Sequence, residues 1–230
     1  RLAAALRKRV TEKEQFAGHE EGKDLVLLRI AGGTALISLM RAPIPGGELQ
    51  NICHSVWQWP RACETVKDHK AHVLAVLMGT RLSKAESALV QTKIVAALLE
   101  ETDAVAAYWG TSLNSREMFL EESAKVAGGQ TPTSLWVSYR VSRDASGRFS
   151  LSTHGLKDFG LMEIEVKDAG KPFAELYGLV EGTAAYLITK GPIIRDGDTI
   201  GHSNEQRIRV RHGESYWRRG MRVYRLGFDR

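Results

Sequence analysis

Hydrophobic positions change their spacing several times along the chain, and each change marks an element. Leu2, Leu6 and Val10 recur every four residues among Arg and Lys, which predicts an amphipathic helix with a thin apolar face over residues 1–16. Gly18 and Gly22 then read as a flexible joint. Leu25–Ile30 and Thr34–Met40 read as strands split by a turn at Gly32-Gly33, and Pro43 and Pro45 close that unit. Helical spacing returns at Leu49, Ile52, Cys53, Val56 and Trp57 until Pro60, which lacks a backbone donor and so kinks the helix or starts a second one. The apolar run His72–Met78 has the length of a buried strand and stops at Gly79. Ser83-x-x-Glu86 is a capping box, in which hydroxyl and carboxylate each satisfy a free backbone N–H, and it opens a helix to about Glu101. Val105–Trp109 reads as another inner strand, and Ser115–Val126 as a short helix closed by Gly128-Gly129.

The second half is richer in strands. Leu135, Val137, Tyr139 and Val141 alternate with Ser138, Arg140 and Ser142; a turn at Asp144–Gly147 leads into Phe149, Leu151 and Thr153, which predicts an antiparallel hairpin. A strand over Met162–Val166 follows. Phe173, Leu176, Tyr177, Val180, Ala184, Leu187 and Ile188 fit a helix with Gly191 at its stop and Pro192 behind it. Strands near Gln206–Arg211 and Met221–Phe228 complete the pattern. The class is α+β, with mixed or antiparallel sheets carrying helices on one side, or two joined α/β-plait-like halves. Residues 1–22 read as a basic helix and linker, and 23–230 as one domain divisible into halves 23–130 and 131–230.

Composition narrows the setting. With 230 residues, 43% hydrophobic and 26% charged, the chain matches an ordinary globular protein and not a disordered or fibrous one. Its apolar runs, such as Val73–Met78, fall far short of the roughly 18 residues that cross a bilayer. A chain of this length buries about 70% of its unfolded surface and needs no cross-link, so Cys53 and Cys63 read as core thiols of a protein in a reducing, cytoplasmic compartment.

The net charge of +5 is uneven. From Arg195 to Arg230 nine arginines face five acids, a surplus of four. In Arg207-Ile208-Arg209-Val210-Arg211, period-two alternation puts three guanidiniums on one face of a strand and two apolar side chains on the other. Such a face is a solvated edge or a dock for an acidic surface. The stretch lacks the interleaved aromatics and the reading helix of nucleic-acid binders.

Two clusters hold chemistry-bearing side chains. Asp196-Gly197-Asp198-Thr199-Ile200-Gly201-His202 gathers two acids and an imidazole in one loop, but without the ligand series of a calcium loop, and Asp-Gly is itself a turn signature. His154 is followed by Glu163 and Glu165, which share a strand face opposite Ile164. If the chain were a hydrolase, His154, Glu163, Asp196, Asp198 and His202 would have to converge within hydrogen-bond reach of one substrate. Cys53, Cys63, His69 and His72 are zinc-competent, but their spacing is wrong for a compact site, so no metal is expected. Neither a phosphate-binding loop nor a dinucleotide fingerprint occurs, and no cofactor is expected. Trp109 and Trp136 read as core, while Trp57, Trp59 and Trp217 suit either core or an interface.

Trp57-Gln58-Trp59-Pro60, Trp136, Thr153-His154-Gly155-Leu156-x-x-Phe159-Gly160-x-x-Glu163 and Asp196-Gly197-Asp198-Thr199-Ile200-Gly201 together resemble the bacterial domain-of-unknown-function family DUF4261, over roughly Thr34–Phe228. The resemblance implies one shared fold and brings no activity, catalytic residue or cofactor with it. The leading expectation is therefore a non-catalytic interaction protein, an adaptor, chaperone or toxin-neutralising partner, that offers Arg207, Arg209, Arg211 and Trp217 to an acidic protein surface. A hydrolase built on the His/Glu/Asp set is the alternative, and phosphate-backbone binding the third.

Overall fold

The computed structural model describes residues 1–11, 14, 16–201 and 207–228. Their elements run α1 (Leu2–Arg7), β1 (Gly18–Glu21), β2 (Leu25–Ile30), β3 (Gly33–Met40), α2 (Glu48–Cys53), α3 (Ala62–Val66), β4 (His72–Met78), α4 (Lys84–Glu101), β5 (Ala106–Trp109), β6 (Ser112–Ser115) and α5 (Arg116–Ala124). Then follow α6 (Thr133–Trp136), β7 (Ser138–Arg143), β8 (Phe149–His154), β9 (Glu163–Ala169), α7 (Phe173–Lys190), β10 (Thr199–Ile200), β11 (Ile208–Glu214) and β12 (Arg222–Gly227). The class is α+β, and no helix among the described residues is long and apolar enough to cross a membrane. The chain divides into two compact units, residues 1–109 with 113–135 and residues 110–112 with 136–230.

The first unit is an antiparallel sheet in the order β1-β2-β3-β4. The capping box forms as the sequence predicts: Ser83 Oγ accepts from Glu86 N–H, and the Glu86 carboxylate accepts from Ser83 N–H. The helix it starts, α4, lays Val90, Ile94 and Ala97 on Leu28, Ile30, Ala35 and Ile37, and Leu6 of α1 joins that core. Residues 1–22, read from sequence as a helix and a joint, thus hold α1 and the first strand of this sheet. The helix is shorter than its periodicity suggests because Glu14 turns onto Lys93 of α4, 2.6 Å away, a tertiary pairing that overrides local spacing.

Three further expectations are corrected here. Pro60 does separate two short helices, but Cys53 and Cys63 are not free thiols. They form a disulfide, since the C-terminus of α2 and the first turn of α3 meet with Cα atoms 5.0 Å apart. The argument from free thiols to a reducing compartment loses its premise. The run His72–Met78 forms a strand but not a buried one, because it lies at the end of the sheet with Val73, Leu74, Val76 and Met78 exposed. Ala106–Trp109 is likewise not an inner strand, and pairs only with β6 in a two-stranded hairpin among the described residues.

The second unit is a mixed sheet in the order β10-β11-β12-β9-β8-β7, antiparallel except where β9 and β12 run parallel. Alternation sorts its side chains. Tyr139, Leu151, Ile164, Val166, Val210, Tyr224 and Leu226 share one face and are buried. The helix α7 belongs on that side, where its Tyr177 meets Tyr139 with ring centroids 5.1 Å apart. Its last turn ends at Gly191 (φ 83°), the glycine stop read from the sequence. Most polar side chains on these strands face the other way; His212, opposite Tyr224 and in ring contact with it, stays on the apolar side.

Candidate functional site

Strand register assembles the polar face of the second sheet. Arg211 lies opposite Arg225, Arg225 opposite Glu165, Glu165 opposite Ser152, and Ser152 opposite Arg140. Directly opposed residues point to the same side, so one row crosses five strands as Arg, Arg, Glu, Ser, Arg. Arg209, two residues before Arg211, shares the face; Arg207, just outside β11, is exposed. The period-two reading of the arginine stretch therefore holds for Arg209 and Arg211.

Two buried carboxylates hold the loops that frame this face. Glu163 accepts hydrogen bonds from Thr153 Oγ1 (2.7 Å), Gly155 N–H (2.9 Å) and Lys157 N–H (3.3 Å), and so ties the turn after β8 to β9. That turn needs glycine at 155, where φ is 128° and a Cβ would fall 2.6 Å from the Trp136 carbonyl oxygen. Glu165, fully buried, accepts from Ser215 Oγ and from Tyr216 N–H (2.8 Å), with Arg218 Nη2 at 3.5 Å. Ser215 Oγ in turn accepts from the N–H groups of Trp217 (3.1 Å) and Arg218 (2.9 Å). The loop between β11 and β12 is thus pinned through its first four residues, with Tyr216 and Trp217 largely exposed. The Tyr216 ring takes Arg225 at 4.3 Å and Lys167 at 5.4 Å, cation–π contacts that place two more positive charges beside the loop.

His154 sits at the end of this frame. Arg218 Nη1 donates to its Nδ1 at 3.2 Å, while Arg218 Nη2 donates to the Thr153 carbonyl. Burial, then the charges of Arg218, Arg140 and Lys157, hold the imidazole pKa down to about 3. A guanidinium can only donate, so Nδ1 is the acceptor and the proton is on Nε2, which lies 3.5 Å from Ser152 Oγ. A ring in that state cannot take a proton from Ser152 through Nε2. It presents a donor, as Arg140 and Arg218 do.

The acidic loop lies elsewhere. Asp198 Oδ2 accepts from Arg195 N–H (2.7 Å), Asp196 Oδ1 from His212 N–H (2.7 Å), and Gly197 adopts φ 88°. These carboxylates shape a turn against β11. Three strand spacings separate β11 from β8, about 14 Å, so Asp196 and Asp198 do not meet His154. His202 lies outside the described residues. Of the four described candidates for a reactive centre, the structure brings His154 and Glu163 to one turn and Asp196 and Asp198 to another, and Glu163 is spent on the Thr153 hydroxyl and backbone N–H groups. Ser215 and Arg218 complete the frame without having been singled out. The signal for them was Glu165, an acid between Ile164 and Val166 that burial obliges to find donors.

A second group of donor atoms lies in the first unit, where Cys53, His54 and Cys63 have their ligand atoms within 4.8 Å of one another. The disulfide engages both sulfurs. His69 accepts from Ile44 N–H (2.7 Å) at Nε2, and His72 Nδ1 lies 2.8 Å from the Ala42 carbonyl, so both rings are committed to backbone groups.

Residues 152–227 match the family model described as a domain of unknown function, DUF4261. The DUF4261 match is narrower than the span of the resemblance read from sequence. It runs from the last three residues of β8 through β12, with His154, Glu163, Glu165, Arg209, Arg211, Ser215 and Arg218, and leaves out Arg140 and the whole first unit. No curated protein and no solved structure matches the chain.

Proposed function

We propose that this chain is a non-catalytic protein-interaction module that docks an acidic surface of a partner onto the arginine-lined face of its second sheet. The observation that carries this reading is the row Arg211, Arg225, Glu165, Ser152, Arg140, flanked by exposed Arg209 and Trp217. Most of its ionised groups are cationic, and its histidine is a neutral donor. Arginine forks and a nearby exposed aromatic pair are the side chains that protein interfaces favour, and carboxylates are the acceptors that fit them. The hydrolase alternative loses support from the same geometry, since its acids are divided between two places and its imidazole is held as a donor.

The test is binding of a poly-glutamate peptide to the whole chain, followed calorimetrically at low and high salt. Affinity should fall with salt, and Arg209→Glu with Arg211→Glu should weaken it at least about tenfold, as like charge replaces opposite charge at a docking face. Binding that ignores the double charge reversal overturns the proposal. So does tighter binding of a single-stranded oligonucleotide, which would favour the phosphate-backbone reading.

A further inference from the structure

Among the described residues, α4 and α1 pack on one face of the first unit's sheet. Register gathers the other face: Leu25 lies opposite Ser38, Leu27 opposite Leu36, Leu36 opposite Val76, Ser38 opposite Leu74, Met40 opposite His72 and Thr34 opposite Met78. An antiparallel sheet with one face in water normally carries polar residues at these alternate positions. Here Leu25, Met40, Leu74, Val76 and Met78 are 39, 42, 48, 37 and 48% exposed, with half-buried Leu27 and Leu36 between them. The charges on the face lie toward β1, where Arg29 and Glu20 pair at 2.8 Å and cancel.

We propose that this face is a homodimer interface, in which two copies stack their apolar faces about a two-fold axis like the layers of a β-sandwich. A two-fold contact is isologous, so the surface must complement itself. An apolar centre with an internally neutralised ion pair at its margin does so, and it offers nothing that would select a charged partner. The size suits a weak, reversible dimer. Strands of 4, 6, 8 and 7 residues about 4.8 Å apart cover about 400 Å², so two copies bury about 800 Å² before side-chain relief is added, at the lower end of the range for weak association. Stacking is favoured over pairing of two β4 edges because Gln91 of α4 already donates to the Ala75 carbonyl of β4 at 2.7 Å.

The experiment is sedimentation and light scattering of the whole chain from about 1 µM to about 1 mM, the range in which an interface of this size dissociates. A reversible monomer–dimer equilibrium is expected, and sulfate should strengthen it because apolar burial grows with excluded salts. Leu74→Lys with Val76→Lys should shift the dissociation constant at least tenfold upward while the circular dichroism spectrum stays native, since both side chains are exposed. A spin label on Ser38→Cys, at the centre of the face, should report a second label nearby in the dimer even if the lysine variant misfolds. Arg209→Glu with Arg211→Glu should leave the dimer intact, which separates this interface from the arginine face. A chain that stays monomeric throughout, a dimer in which the Ser38 labels lie far apart, or mass that grows past two copies overturns the proposal.

Discussion

The two sheets differ most on the sides their helices leave open. Each carries one 18-residue helix, α4 or α7, over an apolar face. On the first sheet the open face is mainly Leu, Met and Val, with Thr34, Ser38 and His72 among them; on the second it is mainly Arg, Ser, His and buried Glu. The covered faces obey the same rule and differ little, because a helix stripe and a sheet face can bury only apolar surface against each other. The open faces are under no such constraint. They hold the residues that can specify partners, and the contrast predicts that the first sheet tolerates change on its open face while the second does not.

The sharpest way to break that contrast is to remove Glu165. Its carboxylate is the acceptor for Ser215, Tyr216 N–H and Arg218, so Glu165→Ala leaves buried donors unpaired and frees the loop that carries Tyr216 and Trp217. A loss of about 3–5 kcal/mol in urea-unfolding stability is expected. Leu74→Ala, on the open face of the first sheet, should cost less than about 1 kcal/mol because the side chain is already half in water. Equal losses from the two variants would erase the distinction.

The next effect belongs to the first unit alone. Cys53 and Cys63 close a loop of sequence separation 10 beside a small core of Leu49, Ala62, Val66 and Leu113. Reducing the bond, or Cys63→Ser, should lower local stability by about 2–3 kcal/mol, chiefly by freeing the unfolded chain. Amide hydrogen exchange should quicken in α2 and α3 and stay unchanged in β8, β9 and α7. Faster exchange in the second unit as well would show that the two do not open separately.

How much of this was legible in the sequence depended on range. The α4 capping box, the α7 stripe with its Gly191 stop, the β2–β3 turn at Gly32-Gly33 and the alternation of Arg209 and Arg211 are local patterns, and the structure repeats them. The exposed face of β4 was not, because a short apolar run has the same appearance at the edge of a sheet as in its middle. Nor was the frame of the arginine face. Parallel pairing of β9 with β12 sets Glu165 against Arg225 and brings Arg218 to His154, residues about sixty apart that share no period. The Cys53–Cys63 bond needed the chain reversal between α2 and α3, which Pro60 announced without fixing the distance. Asp196 and Asp198 looked like chemistry in sequence, but their local hydrogen bonds assign them to a turn, the reading that Asp-Gly already favoured.

The most local effect tests the electrostatics of the arginine face directly. His154 faces Arg218, Arg140, Lys157 and Ser152, and its folded pKa of about 3 lies below the unfolded value of about 6.5. Between those values the unfolded chain binds a proton that the folded chain refuses. The contribution of His154 to stability is therefore fully present above about pH 6.5 and declines as pH falls toward 3, before any carboxylate adds its own loss. In an NMR titration the wild-type ring should stay neutral from pH 8 down to at least about 5. Arg218→Met removes the nearest charge and the Nδ1 donor together, so the ring should titrate at higher pH and the acid loss should flatten. If the wild-type ring instead protonates near its ordinary pKa, Arg218 does not donate to it. The face would then gain a cation on mild acidification, and poly-glutamate binding would tighten between pH 7 and 6 when a fixed donor predicts no change.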